Sequence, residues 1–367
     1  MFRSNFWRHF DFWLLGAVII ALVFGVAMIR SAIAGNENLA NLVPRQMIFG
    51  GIGFVAIILA AAIDYRFWSG AIVPMYIVIV VFLLMLFIIG GARFGATRWI
   101  ETGLVSIQPT ELAKIVVILA LANYFDRNID TRRTWAWLIK SLFIAVGIAG
   151  LIFIQPNLSN VIIVMVLWTA MTWVAGLELK QLGIIILVVL VLAVVAYIFF
   201  LQPYQRLRIT TFVFPDPNAR HGNLYNVLQA LAGLGSGGWA GKGYGHGTQT
   251  QLRFMQVRHN DYIFSVIGEE LGFAGAIFVL ALIGFIVFRC LRAARLARDP
   301  FGALIAYGVA ILIIFQAVVN IAVNLNLIPV TGIPLPFISY GGSGLISLML
   351  GIGLVESVVL RHKPLDF

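Results

Sequence analysis

The stretch QLGIIILVVLVLAVVAYIFFLQ, residues 181–202, decides the fold class of this chain. It contains no charged residue, and a helix needs about 20 apolar residues to cross the hydrocarbon core of a bilayer. The sequence therefore predicts an all-α integral membrane protein, a single polytopic membrane domain over residues 1–367 with about ten transmembrane helices. The other nine apolar stretches lie at roughly 12–34, 46–63, 68–90, 108–125, 135–155, 157–175, 260–288, 302–326 and 341–360.

Composition supports a membrane protein and narrows its partners. Hydrophobic residues make up 61% of the 367 positions and charged residues 11%, whereas a soluble domain carries about 25% charged residues. The formal net charge is +10, and the cations lie mainly in loops between the apolar stretches. That placement favours anionic lipids or anionic substrates over nucleic acid as partners. Cys290 is the single cysteine, so no internal disulfide can form.

The distribution of Lys and Arg between alternate loops predicts the orientation of the chain. If the N-terminus is cytoplasmic, the short outer loops carry only Arg45, Arg93 and Arg98. Because cytoplasmic loops are enriched in Lys and Arg, both termini are expected on the cytoplasmic side. The inner loops and the two ends then carry Arg3, Arg8, Arg66, Arg127, Arg132, Arg133, Lys140, Lys180, Arg289, Arg292, Arg295, Arg298, Arg361 and Lys363.

One outer loop, residues 203–258, is far longer than an ordinary connection, which favours a functional role. It predicts a cationic surface on the outer face of the membrane, with a plain solvated loop as the alternative. Its single acidic residue is Asp216, and its cations are Arg206, Arg208, Arg220, Lys242, Arg253 and Arg258.

The segment LNLIPVTGIPLPFISYGGSG, residues 325–344, interrupts the helical pattern near the C-terminus. Its three prolines and its glycine pair are incompatible with a continuous helix. Irregular backbone at membrane depth needs protein or a cavity around it. We predict a re-entrant outer loop, and an ordinary apolar hairpin is the alternative.

Asp261 opens the apolar stretch that follows the large loop, directly after Arg258, His259 and Asn260. A carboxylate at the membrane edge could act as a base, and the preceding cations could hold an anion. Because Asn and Asp are favoured at helix N-caps, a capping role for Asp261 is the alternative. Glu269 and Glu270 lie further into the same stretch and cannot both share the face of Asp261, so at least one should pair elsewhere in the bundle.

Glu111 and Lys114 lie three residues apart inside a predicted span and can pair on one helix face. Ionisable residues within spans are functional candidates by default, although a structural ion pair is an equal alternative. Arg98 and Trp99 precede this helix on the outer side. An Arg beside an aromatic ring suits a phosphate or a sugar, and such pairs also serve as interfacial anchors.

The glycine-rich run GLGSGGWAGKGYGHG, residues 233–247, does not fit the phosphate-binding P-loop pattern. Ser236 stands where that pattern needs Gly, and Gly243 stands where it needs Ser or Thr. The run still offers backbone amides to an anion, next to Lys242 and His246. His246 and His259 lack metal-ligand spacing, and a divalent cation bridging phosphates to a carboxylate remains an open prediction.

Beyond these single features, several motifs follow one another along most of the chain. The stretch GKGYGHGTQTQLRFMQVRHNDYIFSVIGEELG, residues 241–272, resembles the signature region of the SEDS family (shape, elongation, division and sporulation). The HGTQ at 246–249 is more similar to the rod-shape branch, RodA, than to the division branch, FtsW. Further similar stretches are RW at 98–99, QPTELAK at 108–114, YQRLR at 204–208 and IPVTGIPLPFISYGGSG at 328–344.

The resemblance implies a peptidoglycan glycosyltransferase of the bacterial plasma membrane that polymerises lipid II during cell elongation, with undecaprenyl diphosphate as leaving group. It further implies inversion at the donor sugar, a class B penicillin-binding protein (transpeptidase) as partner, and Asp261 as the general base. A Mg or Mn ion at Asp261 stays possible, and no other cofactor is expected. The residues expected to bind substrate are Arg98, Trp99, Glu111, Lys114, Arg206, Arg208, Lys242, His246, Gln249, Arg258 and His259.

The chain departs from the family pattern in two places. QPNLSN at 155–160 stands where QPDLGT is expected, so Asn157 replaces an acid and Ser159 replaces a glycine. Gln256 and Val257 stand where Pro and Glu are expected, and Asn260 replaces a Thr. These departures put in doubt any role for an acid at 157 or 257, and they leave Asp261 untouched.

Two other functions fit parts of the sequence. Polar residues within spans and a broken helix also suit a flippase that carries lipid II across the bilayer. A non-catalytic scaffold of the cell-wall machinery would need the surfaces of the spans and not Asp261. Loss of glycan synthesis on replacing Asp261 would separate the enzyme from both.

Overall fold

A computed structural model describes residues 9–89, 91–93, 96–101, 106–215, 222–252 and 258–362, without the side chains of 87–107 and 223. Thirteen α-helices and three short strands occur in these ranges. The helices are α1 (Phe12–Ala32), α2 (Leu42–Ala62), α3 (Tyr65–Ile89), α4 (Pro109–Arg127), α5 (Trp135–Ile154), α6 (Leu158–Ala175), α7 (Leu179–Val195), α8 (Pro203–Val213), α9 (Gly222–Ser236), α10 (Thr248–Gln251), α11 (Ile263–Leu296), α12 (Pro300–Asn324) and α13 (Gly342–Leu360). A π-helical turn, Ala196–Phe200, extends α7.

Nine helical segments of the described ranges are long and apolar enough to cross a bilayer: α1 to α3, α5 to α7 and α11 to α13. The tenth predicted span is α4, which carries four charged residues and packs against α3, α5, α6, α12 and α13. Because α4 lies at the centre of the bundle, its polar groups face protein and a cavity and avoid lipid. The prediction of an all-α membrane protein is confirmed.

A three-stranded antiparallel sheet lies between α3 and α4, with β1 (Gly91–Arg93), β2 (Ala96–Glu101) and β3 (Ser106–Ile107) in sequence order. The sequence analysis did not predict this sheet. Its strands are too short to give a clear period-two pattern.

Close packing of α13 on α2 forms one of the tightest helix contacts in the bundle. A Cβ atom added at Gly353 would lie 2.7 Å from the backbone oxygen of Ile57 and 2.8 Å from the Ala60 side chain. Glycine at this position lets the two backbones approach, as small residues do in membrane bundles. The N-terminal half of α13 contacts α4, where Ser347 Oγ donates to Glu111 O at 2.6 Å.

Helix α11 is interrupted at Gly272, whose φ of 66° and ψ of −159° are non-helical. The interruption exposes backbone groups that a bilayer cannot satisfy. The glycine-rich segment, which we define as residues 237–247, supplies the partners. Lys242 N donates to Glu269 O at 3.0 Å and Phe273 N donates to Gly238 O at 2.8 Å. The large outer loop is therefore attached to α11 through its backbone.

The 325–341 loop is irregular, as predicted, and reaches into the bundle. A Cβ atom at Gly25, within α1, would lie 2.6 Å from the backbone oxygen of Ile338. Tyr340 N donates to His259 O at 3.1 Å, and Ser339 Oγ donates to Asn260 O at 2.7 Å. The irregular backbone is thus surrounded by protein, as a re-entrant loop requires, and the loop holds the segment just before α11.

Candidate active site

A cavity of about 170 Å³ opens where α4, α6 and α12 meet the 325–341 loop and the start of α13. We call it the polar cavity, because amide, hydroxyl and charged side chains dominate its lining. Arg208 of α8 closes one side of it. The lining residues are Gln108, Glu111, Lys114, Asn157, Ser159, Asn160, Ile163, Arg208, Asn260, Gln316, Thr331, Gly332, Ile333, Pro334, Tyr340, Gly341, Gly342, Ser343 and Gly344.

Asp261 lies at the edge of the polar cavity, since a Cβ atom at Gly332 would sit 3.8 Å from its Oδ2. Its Oδ1 is buried and has no hydrogen-bond partner within the described residues. Helix α11 begins at Ile263, and Tyr262 occupies the N-cap position. The N-cap alternative for Asp261 is therefore wrong: Tyr262 is the N-cap, and the first-turn amide of Ser265 donates to Asn324 Oδ1 and not to Asp261.

Two asparagines of α12 hold the backbone of Asp261. Asn320 Nδ2 donates to Asp261 O at 3.1 Å, and Asn324 Nδ2 donates to the same oxygen at 2.8 Å. Asn320 also donates to Ile333 O at 2.9 Å, and Asn324 Oδ1 accepts from the backbone and hydroxyl of Ser265. Both asparagines are buried. They connect Asp261 to the 325–341 loop and to the first turn of α11.

Burial of the Asp261 carboxyl group raises its pKa to about 6, and the Arg208 guanidinium opposes this rise. A group with this pKa is mainly ionised at pH 7 and is a stronger base than an exposed aspartate. The Asp261 environment therefore suits proton abstraction near neutral pH.

Glu111 and Lys114 form the predicted ion pair, with Lys114 Nζ 2.8 Å from both carboxylate oxygens. Lys114 Nζ also lies 3.4 Å from Asn160 Oδ1. Both side chains are buried, and both line the polar cavity. The structure thus confirms the pairing and places the pair where it can contact a ligand.

Arg208 and Arg206 point to different places, although they are two residues apart on α8. Arg208 Nη1 donates to Val330 O at 3.2 Å, and its Nε is buried without a partner in the described part of the chain. Arg206 Nη2 donates to Ile198 O at 3.0 Å, at the end of α7. Among the cations of the large loop that the structure describes, Arg208 is the one that lines the polar cavity.

An apolar groove of about 500 Å³ adjoins the polar cavity between α6, α8 and α12. The two spaces share Asn157, Ser159, Arg208, Thr331 and Ile333. The groove continues to Ile162 and Val318, whose side chains are 42% and 56% exposed on the lipid-facing surface. The groove thus adjoins the polar cavity on one side and reaches exposed apolar side chains of α6 and α12 on the other.

The amides of the glycine-rich segment and of α10 do bind anions, and these anions are Glu269 and Glu270. Glu269 accepts from Lys242 Nζ at 3.0 Å, from Gln249 N at 2.8 Å, and from the backbone and hydroxyl of Thr250. Glu270 accepts from Gly245 N at 3.1 Å. Lys242 and the Gln249 backbone are thus committed to a protein carboxylate, and the polar cavity does not include them.

Glu270 also accepts a hydrogen bond from Ser31 Oγ of α1 at 2.6 Å. The prediction that one of the two glutamates pairs elsewhere in the bundle is confirmed. Tyr244 Oη donates to Ala27 O at 2.8 Å, so the glycine-rich segment also contacts α1. His246 is exposed, and its Nδ1 lies 2.9 Å from Tyr244 O.

Of the two basic residues before Asp261, Arg258 is buried and His259 is partly buried. Arg258 Nε donates to Ala32 O at the end of α1. Burial, together with the Arg258 charge, lowers the pKa of His259 to about 4, so His259 is neutral at pH 7. Of the two basic residues that directly precede Asn260 and Asp261, only Arg258 therefore carries a positive charge at pH 7. The side chains of Arg98 and Trp99, on β2, lie outside the described residues.

Seven amide residues at or near the site were not predicted as site residues: Gln108, Asn157, Asn160, Asn260, Gln316, Asn320 and Asn324. The spacing of Gln316, Asn320 and Asn324 at i, i+4 and i+8 in an apolar stretch is a readable signal, since polar residues inside spans are expensive. The described residues contain no group of three or more His, Cys, Asp or Glu able to hold a metal ion. A divalent cation at Asp261 stays a prediction.

Comparison with known proteins agrees with the motif analysis. Residues 5–363 match the FtsW, RodA and SpoVE family, described as cell cycle proteins. The peptidoglycan glycosyltransferase MrdB of Escherichia coli (strain K12) is 32% identical over 99% of this chain and 98% of its own length. A probable peptidoglycan glycosyltransferase FtsW of Hydrogenovibrio crunogenus is 34% identical over 96% of this chain and 92% of its own.

Solved structures show the same fold. A chain from a peptidoglycan synthase complex, solved for the coordination of polymerization and crosslinking, has a TM-score of 0.81 at 29% identity and covers 96% of this chain and 98% of itself. The rod shape determining protein RodA of Thermus thermophilus has a TM-score of 0.69 at 28% identity, covering 97% of each chain. The chain belongs to the FtsW, RodA and SpoVE family.

Proposed function

We propose that this chain is a peptidoglycan glycosyltransferase that polymerises lipid II during cell elongation and rod-shape maintenance. Family membership and the MrdB and RodA relatives support the reaction and the elongation role. The observation that carries the proposal is the partly buried Asp261, whose buried Oδ1 has no hydrogen-bond partner within the described residues, beside the polar cavity that Arg208 lines.

In the proposed reaction, Asp261 takes the proton from the 4-hydroxyl of the acceptor sugar. The freed oxygen attacks the anomeric carbon of the donor, and the bond to undecaprenyl diphosphate breaks with its electron pair leaving on phosphate. Arg208 stabilises the developing negative charge. The diphosphate leaves without a general acid, so one carboxylate is sufficient, and attack opposite the leaving group inverts the donor configuration.

The apolar groove supports the lipid part of the proposal. A polyprenyl chain can lie in the groove and place its diphosphate at Arg208, where groove and cavity meet. Asp261 could add one carboxylate ligand to a Mg²⁺ or Mn²⁺ ion that the diphosphate also binds. When bound, such an ion would neutralise phosphate charge.

Location and partner follow from the same relationship. Positive loop charge supports a multi-pass protein of the bacterial plasma membrane with both termini in the cytoplasm, which leaves Asp261 at the outer face. A similar chain occurs in a peptidoglycan synthase complex, which supports a class B penicillin-binding protein as partner.

The test is glycan-chain formation from lipid II by the purified protein together with its transpeptidase. Asp261→Asn should lower the rate by about 10²- to 10⁴-fold, the usual contribution of a general base. Asp130→Asn replaces an exposed carboxylate outside the site and should leave the rate unchanged. Near-normal chains from Asp261→Asn would overturn the assignment of the base.

A second candidate function is a lipid II flippase, which the buried Glu111–Lys114 pair inside α4 favours. A flippase predicts transbilayer movement of labelled lipid II in vesicles that is insensitive to Asp261→Asn. Chain formation that depends on Asp261, without such movement, would exclude it.

A further inference from the structure

Two buried amide side chains with complementary hydrogen-bonding groups line one part of the polar cavity, which we call its floor. Asn157, at the start of α6, is 5% exposed, and Gln316, in α12, is 2% exposed. Asn157 Nδ2 and Gln316 Oε1 both lack a hydrogen-bond partner within the described ranges. One is a donor and the other an acceptor, and leaving such groups unpaired is costly. Two unpaired buried amides lining one cavity indicate a bound polar group.

The charge distribution shows what kind of group the floor can accept. Glu111 and Lys114 satisfy each other, with both carboxylate oxygens 2.8 Å from Nζ, and so present little net charge. The cation available to a phosphate is Arg208, on the α8 side of the cavity. A neutral group with its own donor and acceptor therefore fits the floor better than an anion.

We propose that Asn157 and Gln316 bind the 2-acetamido group of an N-acetylhexosamine. Asn157 Nδ2 donates to the acetamido carbonyl, and Gln316 Oε1 accepts from the acetamido N–H. Ile163 and Ile333 in the same lining provide apolar surface for the methyl group. A hydroxyl group would leave this apolar surface unused. The inference rests on the proposed function, because lipid II supplies the acetamido sugars, and it assigns a specificity site to that reaction.

The experiment measures binding of lipid II to the purified protein in nanodiscs, beside two analogues that have the same charge as lipid II. Each analogue carries a 2-hydroxyl in place of one of the two acetamido groups, so the pair identifies which sugar occupies the site. One analogue should bind about tenfold or more weakly than lipid II, the effect of leaving a buried amide pair unmatched.

Gln316→Met keeps the side-chain volume and removes the acceptor. This variant should lose affinity for lipid II and bind the discriminated analogue as before, so that the ratio of the two affinities approaches one. Asn157→Asp, which replaces the donor by an acceptor, should do the same. Gln155→Met is the matched control: Gln155 is equally buried, bonds to Leu83 O, and lies outside the polar cavity. It should preserve the ratio.

Each outcome decides the inference separately from the proposed function. Equal affinity of the wild type for lipid II and both analogues would overturn the acetamido site, and so would equal losses on all ligands in Gln316→Met and Asn157→Asp. If the ratio of the affinities for lipid II and the discriminated analogue also approached one in Gln155→Met, the acetamido site would be overturned as well. If the wild type discriminates in binding and forms no glycan under any condition, the acetamido site stands and the proposed polymerase activity fails.

Discussion

At the scale of single residues, the position of Asp261 could be predicted from the sequence, but its role could not. Its position at the mouth of an apolar stretch predicts a carboxylate at the membrane edge, and the same position suits a helix cap. The choice depends on whether α11 begins at Tyr262, which would make Asp261 the N-cap, or at Ile263, a difference smaller than the accuracy of boundary prediction. The cap reading fails because the structure begins the helix at Ile263, and the burial that raises the pKa of Asp261 comes from segments distant in sequence.

The raised pKa of Asp261 predicts how activity depends on pH. The base must be ionised, and it loses its charge as the pH falls through about 6, the value in the folded protein. We expect kcat/KM for lipid II to be constant above pH 7 and to fall about tenfold per pH unit well below 6. This pH dependence can be checked by measuring the rate of glycan-chain formation between pH 4.5 and 8 at about 25 °C.

Arg208 provides the control for that profile. Its positive charge lowers the pKa of Asp261, so Arg208→Met should move the acid limb to higher pH as well as slow the reaction. Arg206→Met removes an equal charge that contacts Ile198 O and should leave the midpoint unchanged. An acid limb that stays in place in Arg208→Met would contradict the assignment of the limb to Asp261.

Asn324 is a positioning residue for Asp261. Its amide donates to Asp261 O, and its oxygen accepts from Ser265 N and Oγ. Asn324→Leu leaves these groups unpaired and should cost about 1–3 kcal/mol of stability. Because Asp261 would also shift, kcat should fall at least tenfold with KM little changed. A variant that loses thermal stability and keeps kcat would show a purely structural role.

At the scale of elements, the glycine-rich segment explains a partial success. Its sequence predicts amides that bind an anion, and they do so, but the anions are Glu269 and Glu270 of the same chain. Sequence could not show this, because the two partners meet only when α11 breaks at Gly272 and receives the segment. The glycine-rich segment consequently connects the outer loop to α11 and α1 and stabilises this arrangement, and we call it a brace for that reason.

Removing the Glu269 charge should release this brace. Glu269→Gln removes the negative charge beside Lys242 and turns an amide N–H toward donors, so we expect a loss of about 1–3 kcal/mol. Thermal unfolding in detergent and limited proteolysis of the loop around 237–251 should both report it. Glu37→Gln, at an exposed carboxylate, is the control and should change neither. Unchanged protease resistance in Glu269→Gln would show that the brace is held by its backbone bonds alone.

At the scale of the whole molecule, the apolar stretches predict the described spans to within a few residues, except that α11 continues to Leu296, well beyond the predicted end at 288. They do not predict which helix faces the bundle, because lipid-facing and buried surfaces of a membrane helix are equally apolar. Helix α7 shows this: it is the most apolar stretch of the sequence, and Gln181 is its single buried residue between 179 and 195. The polar cavity was also beyond prediction, since its lining comes from six separate segments.

The apolar groove beside the polar cavity leads to the last prediction. Val318 of α12 lines the apolar groove and is 56% exposed to the lipid side. If the polyprenyl chain of lipid II enters there, Val318→Trp should raise KM for lipid II about tenfold, because an indole fills space that the chain needs. The folded state should be little affected, since the new ring extends into the groove and its mouth.

Ile314 is the matched control, one helical turn away on α12, 46% exposed and outside the groove lining. Ile314→Trp places the same ring against lipid and should leave KM as in the wild type. A KM that rises equally in both variants would indicate a general effect on α12. A KM that rises in neither would place the lipid chain elsewhere, and the junction at Arg208 would then lose its role in receiving the diphosphate from the groove.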